Sequence, residues 1–311
     1  IIIGKNEGKT IKLSIESVLN VIENSLFIES EILYIDSKSS DQTLKIVKSY
    51  RQIKYFELTG KCNAAIARNV GARESKGEVL FFIDGDMEIE PSFLSNALNE
   101  KEELNHDYLT GHLNDVFYNM DGQFIEKAPR TYTKSIPEKP EELNHNGGLF
   151  LIKKHVWNRA KGMRNKYKRS QDLDLTIRLK RMGIKIIRIP FLACNHHTVD
   201  YQNEKRMWIL LWSGFGLYPA MIFRDHLFNF DVLKRVIRSN YTSLLLLLLI
   251  LTLFINSSSI LVSAIFYNIV LIFRVFIHSK NSKSTKNKFL LFFQLYIYQI
   301  LLDISFWLGF L

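Results

Sequence analysis

Short apolar runs alternate with amphipathic segments in the first ninety residues of the chain. The runs at residues 1–3, 31–36, 52–58 and 78–84 have the length of buried strands. Between them, residues 40–50 begin at Ser40-Asp41, a helix N-cap pair, and residues 63–77 end at Gly77. Strand and helix in strict alternation predict an α/β domain with a mostly parallel, Rossmann-like sheet.

A different pattern begins near residue 241. Three segments, at about 243–256, 260–277 and 289–311, are almost entirely apolar. Only the third has the length of about 20 residues that a membrane-spanning helix needs, and the first two could form a hairpin that turns at "NSSS". Three buried helices of a soluble core are the alternative, but the segments lack an amphipathic pattern. We therefore expect a soluble domain over 1–200 and transmembrane helices over 241–311.

Basic residues around these segments predict their orientation. They lie before the first segment and between the second and third, at Lys234, Arg235, Arg238, Arg274, Lys280, Lys283, Lys286 and Lys288. By the positive-inside rule, the large domain and the basic loop face the cytoplasm, in a multi-pass protein of the inner membrane. Between domain and membrane, the aromatic and basic residues of 201–240 predict an interfacial helical region in contact with lipid. A helical region packed on the domain fits the same residues.

The charge of the chain agrees with a membrane protein. Lys and Arg number 41 against 31 Asp and Glu, which gives a net charge of +10. Because much of the basic charge flanks the apolar segments, we predict no nucleic-acid partner. Two distant cysteines, Cys62 and Cys194, indicate no disulfide framework.

Carboxylates mark the ends of the predicted strands. They are Glu7, then Asp36 and Asp41, then Asp84 and Asp86. The opening "GKNEGKT" is no phosphate-binding P-loop, because three residues separate its first two glycines where the motif needs four. Asp84-Gly85-Asp86 follows the apolar "VLFFI", and such a pair suits Mg²⁺ or Mn²⁺ that also binds a substrate diphosphate. The alternative is a simple acidic turn.

Six motifs appear in one order along residues 1–190. They are Asn6-Glu7, "IDSKSSDQT", "ARNVGARESKGE", "VLFFIDGDMEIEP", "NGGLFLIKK" and "QDLDLTIRLKRMGIKI". Together they resemble glycosyltransferase family 2, whose members have the GT-A nucleotide-sugar-binding fold. The resemblance implies an inverting, metal-dependent transfer from a nucleotide-diphosphate sugar. The apolar segments at 241–311 suggest that the acceptor is a lipid-linked or cell-envelope glycan.

The resemblance also implies roles for individual residues. Asp172 would be the general base, Asp36 would bind the nucleobase, and Asp86 would be the direct metal ligand. Asp84 and His196 would complete the Mn²⁺ or Mg²⁺ site, although a histidine here is as often an ordinary surface residue. Donor-contacting residues would be Glu7, Asp36, Asp41, Arg68, Asp84, Gly148 and Gln171.

Some positions depart from the family pattern. Gln171 stands where the family has Glu, and Lys38 and Ser40 replace the usual small residue and Thr. Asp174 competes with Asp172 as base, but two residues turn a helix by about 200°, so only one faces the site. A nucleotidyltransferase and a catalytically degenerate membrane scaffold are the alternatives to a glycosyltransferase.

Overall fold

The computed structural model describes residues 1–24, 29–99, 101, 103–130, 136, 138–200, 203–252, 254, 257–281 and 288–311. The chain divides into two compact units, Ile1–Val199 and Asp200–Leu311. We describe each unit by itself.

The first unit begins with a parallel sheet. Its strands are β1 (Ile2–Gly4), β2 (Ile32–Asp36), β3 (Ile53–Glu57) and β4 (Val79–Asp84), in the order β3-β2-β1-β4. Helices α1 (Ile11–Glu23), α2 (Thr43–Val47) and α3 (Ala64–Glu74) connect successive strands. The connections place the carboxyl ends of all four strands along one edge, which is where open α/β sheets bind ligands.

The sheet continues with strands of both directions. They are β5 (Met87–Ile89), β6 (Tyr108–Tyr118), β7 (Phe124–Pro129), β8 (Glu141–Glu142), β9 (Phe150–Lys153) and β10 (Ile187–Val199). β9 is antiparallel to both β4 and β6, whereas β6 and β10 are parallel. Helices α4 (Phe93–Ala97), α5 (Lys154–Arg159) and α6 (Gln171–Arg181) complete the unit. The predicted α/β class is confirmed, with a mixed sheet.

Apolar side chains on both faces of this sheet form its core. One cluster joins Ile2 and Ile83 of the sheet to Ile11 and Ile15 of α1. The other face holds Phe82, Phe150 and Trp157, with ring centroids 4.7–6.4 Å apart. Burial of such side chains contributes about 1.5–3 kcal/mol each, so the strand ends at the ligand-binding edge are held firmly.

The second unit is helical. Its helices are α7 (Glu204–Trp212), α8 (Leu217–Asp225), α9 (Phe230–Ser239), α10 (Tyr241–Thr252), α11 (Ser257–Asn281) and α12 (Lys288–Phe310). Within the described residues, two helices are long and apolar enough to cross a membrane, at Ser259–Lys280 and Lys288–Phe310. The predicted segment 243–256 corresponds to α10, whose twelve residues are too few to cross alone.

The predicted membrane orientation remains a prediction. Lys283 and Lys286 of the basic loop, residue 255 before the predicted turn and residue 256 at its start lie outside the described residues. Inside the unit, the Asp303 carboxylate is fully buried and accepts hydrogen bonds from Thr242, Ser243, Tyr267 and Gln299 at 2.8–2.9 Å. These four donors tie α10, α11 and α12 together and compensate a buried polar group.

Candidate functional site

A cleft of about 300 Å³ opens at the carboxyl ends of β1 and β4, beside the first turns of α3 and α6. Seven of the residues singled out from the sequence line it, namely Glu7, Arg68, Asp84, Asp86, Gly148, Gln171 and Asp172. The other lining residues are Ile3, Gly4, Lys5, Ser37, Cys62, Asn63 and Ala64. Residues more than 160 positions apart in sequence therefore meet in one concave site.

Arg68 is the most deeply buried charge of the cleft. Only 2% of it is exposed, and its Nη2 atom donates to Asp84 Oδ1 at 2.5 Å and to the Gly148 carbonyl at 3.3 Å. Its Nε and Nη1 atoms have no hydrogen-bond partner among the described residues. Buried donors without partners cost free energy, so this guanidinium is suited to bind an anion in the cleft.

Local structure holds Arg68 in place. Asn63 caps α3, because its side chain accepts a hydrogen bond from the Ile66 N–H at 2.9 Å. On the opposite wall, Gly148 has a φ of +81°, a conformation that favours glycine, and a Cβ there would lie 2.9 Å from Met87. The close approach of the Gly148 backbone to Arg68 therefore depends on glycine.

Four carboxyl groups surround this one arginine. Burial raises the pKa of Glu7 to about 8, and the neighbouring Asp86 and Asp84 add to the effect. Burial also raises the pKa of Asp84, while Arg68 opposes the shift and Asp86 adds to it. Asp172 also lines the cleft, and its charge adds to the rise in the pKa of Asp84. These carboxyl groups repel one another when ionised, and a cation bound between them would offset that repulsion.

The carboxylates fit a cation that takes some of its ligands from a substrate. Asp86 Oδ1 is buried and has no hydrogen-bond partner within the described ranges. In the same part of the chain, no three His, Cys, Asp or Glu side chains are arranged to hold a metal by themselves. Mg²⁺ commonly binds through one or two carboxylates plus substrate phosphates, and Asp86 with Asp84 offers that donor set.

His196 lies behind Asp86 and belongs to a buried network. Its Nε2 atom is 3.3 Å from Asp86 Oδ2, and its Nδ1 atom is 2.7 Å from Asp115 Oδ1. Burial alone would lower the pKa of His196, but the hydrogen bonds to Asp115 and Asp86 raise it to about 9. With Nδ1 paired to a carboxylate, Nε2 can either donate a hydrogen bond to Asp86 or bind a metal ion beside it, so metal binding by His196 remains a prediction.

Arg130 completes this network. Its Nη2 atom donates to Asp115 Oδ1 at 2.8 Å and also lies 2.6 Å from His196 Nδ1. The Nδ1 atom could either accept a hydrogen bond from Arg130 or donate one to Asp115. We assign it as a donor to Asp115, because hydrogen bonds to an ionised carboxylate are the stronger ones. Hydrogen bonds from His196 and Arg130 outweigh burial and lower the pKa of Asp115. Asp115 and Arg130 belong to none of the sequence motifs, and only the pairing of β6 with β7 and β10 brings them here.

Replacement of Asp115 should change the titration of His196. In Asp115→Asn the imidazolium loses its buried anionic partner, so the pKa of His196 should fall toward its ordinary value of 6.5. Histidine NMR of selectively labelled protein would measure it. Asp107→Asn, at a partly exposed position paired with Lys153, is the control and should leave the pKa of His196 unchanged. If the pKa of His196 were the same in both variants, Asp115 would not be the group that raises it.

Asp172 and Asp174 have separate surroundings. Asp172 lines the cleft at the start of α6, next to Gly147, where a Cβ atom would overlap its Oδ2. Asp174 is fully buried and accepts hydrogen bonds from Arg164 at 3.1 Å and Arg178 at 2.8 Å. Of the two carboxylates, only Asp172 lines the cleft. Gln171 lines it too, and its Oε1 atom is buried without a partner among the residues described.

Asp36 and Asp41 lie next to the cleft without lining it. Asp36 is buried, and its Oδ2 atom accepts a hydrogen bond from the Ser39 N–H at 2.8 Å. Asp41 is exposed, and its two oxygens accept from the backbone N–H groups of Gly8 and Thr43 at 2.9 and 3.0 Å. Asp41 therefore links the loop after β1 to the loop after β2. Donor binding by these two residues remains a prediction.

Comparison with known proteins gives consistent results. Residues 1–167 match the model of the family described as Glycosyl transferase family 2. The chain is 32% identical over 261 residues to poly(ribitol-phosphate) beta-N-acetylglucosaminyltransferase TarP of Staphylococcus aureus, covering 78% of this chain and 76% of TarP. It is 25% identical over 232 residues to amylovoran biosynthesis glycosyltransferase AmsB of Erwinia amylovora, covering 68% of this chain and 76% of AmsB.

A solved structure shares the fold. The crystal structure of S. aureus TarS 1–349 in complex with UDP-GlcNAc superposes with a TM-score of 0.51 and 18% sequence identity. The match covers 78% of this chain and 74% of the solved one. This likeness confirms the expected GT-A fold.

Proposed function

Because the chain belongs to glycosyl transferase family 2, we propose that it moves a sugar from a nucleoside-diphosphate sugar to an acceptor hydroxyl in the described cleft. The observation that carries the proposal is the placement of buried Arg68 and the Asp84–Asp86 pair on one side, with Asp172 also in the cleft. Arg68 and a cation on the aspartate pair would stabilise an anionic leaving group, and Asp172 would accept a proton.

We assign the donor diphosphate to the part of the cleft that Arg68 lines. The Nε and Nη1 donors of Arg68, which lack partners within the described residues, would bind phosphate oxygens. A divalent cation held by Asp86 and Asp84 would neutralise charge on the departing nucleoside diphosphate. UDP-N-acetylglucosamine is the first donor to test, since TarP is named an N-acetylglucosaminyltransferase and TarS was solved with UDP-GlcNAc.

The acceptor chemistry is assigned to Asp172. Its carboxylate would take the proton of an acceptor hydroxyl while the oxygen forms a bond to the anomeric carbon. The bond from that carbon to the diphosphate oxygen breaks in the same step, and the electron pair leaves with the diphosphate. A single displacement of this kind inverts the anomeric centre. Asp174 is unsuited to the role because it is fully buried between two arginines.

A cell-envelope glycan or a lipid-linked precursor is proposed as the acceptor. TarP is named for poly(ribitol-phosphate), which is a polymer, and AmsB is named for amylovoran biosynthesis. The two apolar helices of the second unit support membrane association. We place the transfer at the cytoplasmic face of the membrane, because nucleotide sugars are cytosolic and the basic residues flank the apolar segments.

A donor screen tests the proposed function. The purified full chain would be incubated with a panel of UDP-sugars and poly(ribitol-phosphate), with Mn²⁺ or with a chelator, and the release of UDP would be measured. We expect acceptor-dependent UDP release that needs the metal. Release of pyrophosphate would instead indicate nucleotidyl transfer, and release of neither product from any donor would contradict an active transferase. Asp121→Ala, in an exposed turn, is the matched control for acidic variants of the cleft.

A further inference from the structure

Helix α9 presents three distinct faces. Val232 and Val236, four residues apart, are buried, and Val236 packs in a cluster with Ala220 of α8 and Phe306 of α12. Asn229 caps the helix by accepting a hydrogen bond from the Val232 N–H at 3.0 Å. One side of α9 is therefore fixed to the second unit, and the other two sides point outward.

The second face is an exposed apolar stripe. Phe230, Leu233 and Ile237 follow one another at intervals of three and four residues, so they lie on one side of the helix. Phe230 is 75% exposed and Ile237 53% exposed, and Phe228 just before the helix is completely exposed. A contiguous apolar surface of this kind marks a place where a partner or a membrane binds.

The third face is mostly basic and adjoins the stripe, and the exposed Asp231 is the acid on it. Lys234 lies four residues after Phe230 and three before Ile237, so it neighbours both on the helix surface. Arg238 follows Lys234 at the next turn, and both side chains are exposed. An apolar stripe flanked by Lys and Arg is the pattern of a helix that lies in the boundary between lipid headgroups and acyl chains.

The position of helix α10 indicates how α9 would be oriented at a membrane. Helix α10 begins at Tyr241, directly after α9, and the two helix axes differ by 84°. Eight of the twelve residues of α10 are Leu or Ile, in one run from Leu244 to Leu251, and its Thr252 hydroxyl hydrogen-bonds to Ser263 of the candidate membrane span in α11 at 2.8 Å. If α10 enters the hydrocarbon region with α11, a bend near 90° leaves α9 parallel to the membrane surface.

The corner between the two helices is held by Arg274 of α11. Its Nη2 atom donates to the Ser239 carbonyl at 2.9 Å, and its Nη1 atom donates to Thr242 Oγ1 at 3.1 Å. The guanidinium also lies 4.7 Å from the centre of the Tyr241 ring. These contacts join the end of α9, the start of α10 and the span, so the orientation of α9 is built into the fold.

We propose that α9 binds an anionic phospholipid surface. Phe228, Phe230, Leu233 and Ile237 would enter the acyl boundary, and Lys234 and Arg238 would contact lipid phosphates. Acidic lipid is the occupant that the adjoining cations favour, and the continuity of α9 with an apolar helix favours a membrane over a protein partner. The proposal does not depend on the chemistry of the cleft, so the two can fail separately.

Depth-dependent fluorescence quenching tests the proposal. The full chain with Cys62→Ser and Ile237→Cys would carry a bimane label, while Cys194 stays in place because it is buried. Vesicles would contain equal amounts of phosphatidylcholine and phosphatidylglycerol, with a nitroxide near the top of the acyl chains. Arg235→Cys is the control, since it lies two residues from both Leu233 and Ile237 and so on the other side of the helix.

We expect the Ile237 label to be quenched several-fold more than the Arg235 label, and a label in Leu233→Cys to behave like the Ile237 label. Omission of phosphatidylglycerol, or the double change Lys234→Gln with Arg238→Gln, should reduce this quenching. Equal quenching at Ile237 and Arg235 would overturn the proposal. So would quenching that is indifferent to phosphatidylglycerol, or concentration-dependent shielding in detergent, which would indicate a second copy of the chain.

Discussion

Asp172→Asn should lower kcat by about a hundred- to ten-thousand-fold, the usual contribution of a general base. This corresponds to about 3–5 kcal/mol of transition-state stabilisation at 1.36 kcal/mol per factor of ten. The carboxylate acts on the acceptor, so donor affinity should change little. Steady-state kinetics of UDP release, together with calorimetric titration of the donor, separates the two quantities.

Asp174→Asn is the matched comparison on the same helix. Asp174 is fully buried between Arg164 and Arg178, so its loss leaves two arginines without their shared anion and should lower the melting temperature. The kcat of the protein that remains folded should stay close to normal. If Asp172→Asn retained normal turnover and Asp174→Asn had none, the base would be Asp174 and the assignment of Asp172 would be wrong.

Arg68→Lys should weaken donor binding by about 10–100-fold. The ammonium can still pair with Asp84, but it lacks the planar set of N–H groups that contact two partners at once. The loss of hydrogen bonds to a charged group costs about 1.5–3 kcal/mol, which is consistent with that range of affinity. Calorimetric titration of UDP would give the dissociation constants.

Arg73→Lys is the control for this change. It lies on the same helix, α3, but its side chain is 71% exposed and pairs with Glu74 at the surface. Surface ion pairs contribute little, so neither stability nor UDP affinity should change. If Arg68→Lys and Arg73→Lys bind UDP equally well, Arg68 does not contact the diphosphate.

The sequence predicted those parts of the site that follow from strand ends. Glu7, Asp84 and Asp86 come directly after apolar strands, and parallel strands place their carboxyl ends at one edge. For Asp172 and Asp174, helical geometry indicated only that one of the two faces the site, and the choice of Asp172 came from the family resemblance. For the strand ends, local sequence and elementary geometry suffice.

Other features depend on contacts between distant segments. Asp115 and Arg130 carry no motif, and they reach His196 only because β6 lies between β7 and β10. The antiparallel position of β9 between β4 and β6 is likewise a property of the whole sheet. For Asp41 the sequence suggests ligand binding, and the structure adds that its oxygens accept hydrogen bonds from the backbone N–H groups of Gly8 and Thr43. Donor binding by Asp41 therefore remains a prediction.

Calorimetric titration of UDP into the full chain, with Mn²⁺ and then with a chelator, tests the central claim most directly. We expect binding of one UDP per chain that needs Mn²⁺, is abolished in Asp86→Ala and persists in Asp172→Asn. UDP binding that is equally tight in the chelator, or that survives in Asp86→Ala, would contradict a diphosphate–cation site in this cleft.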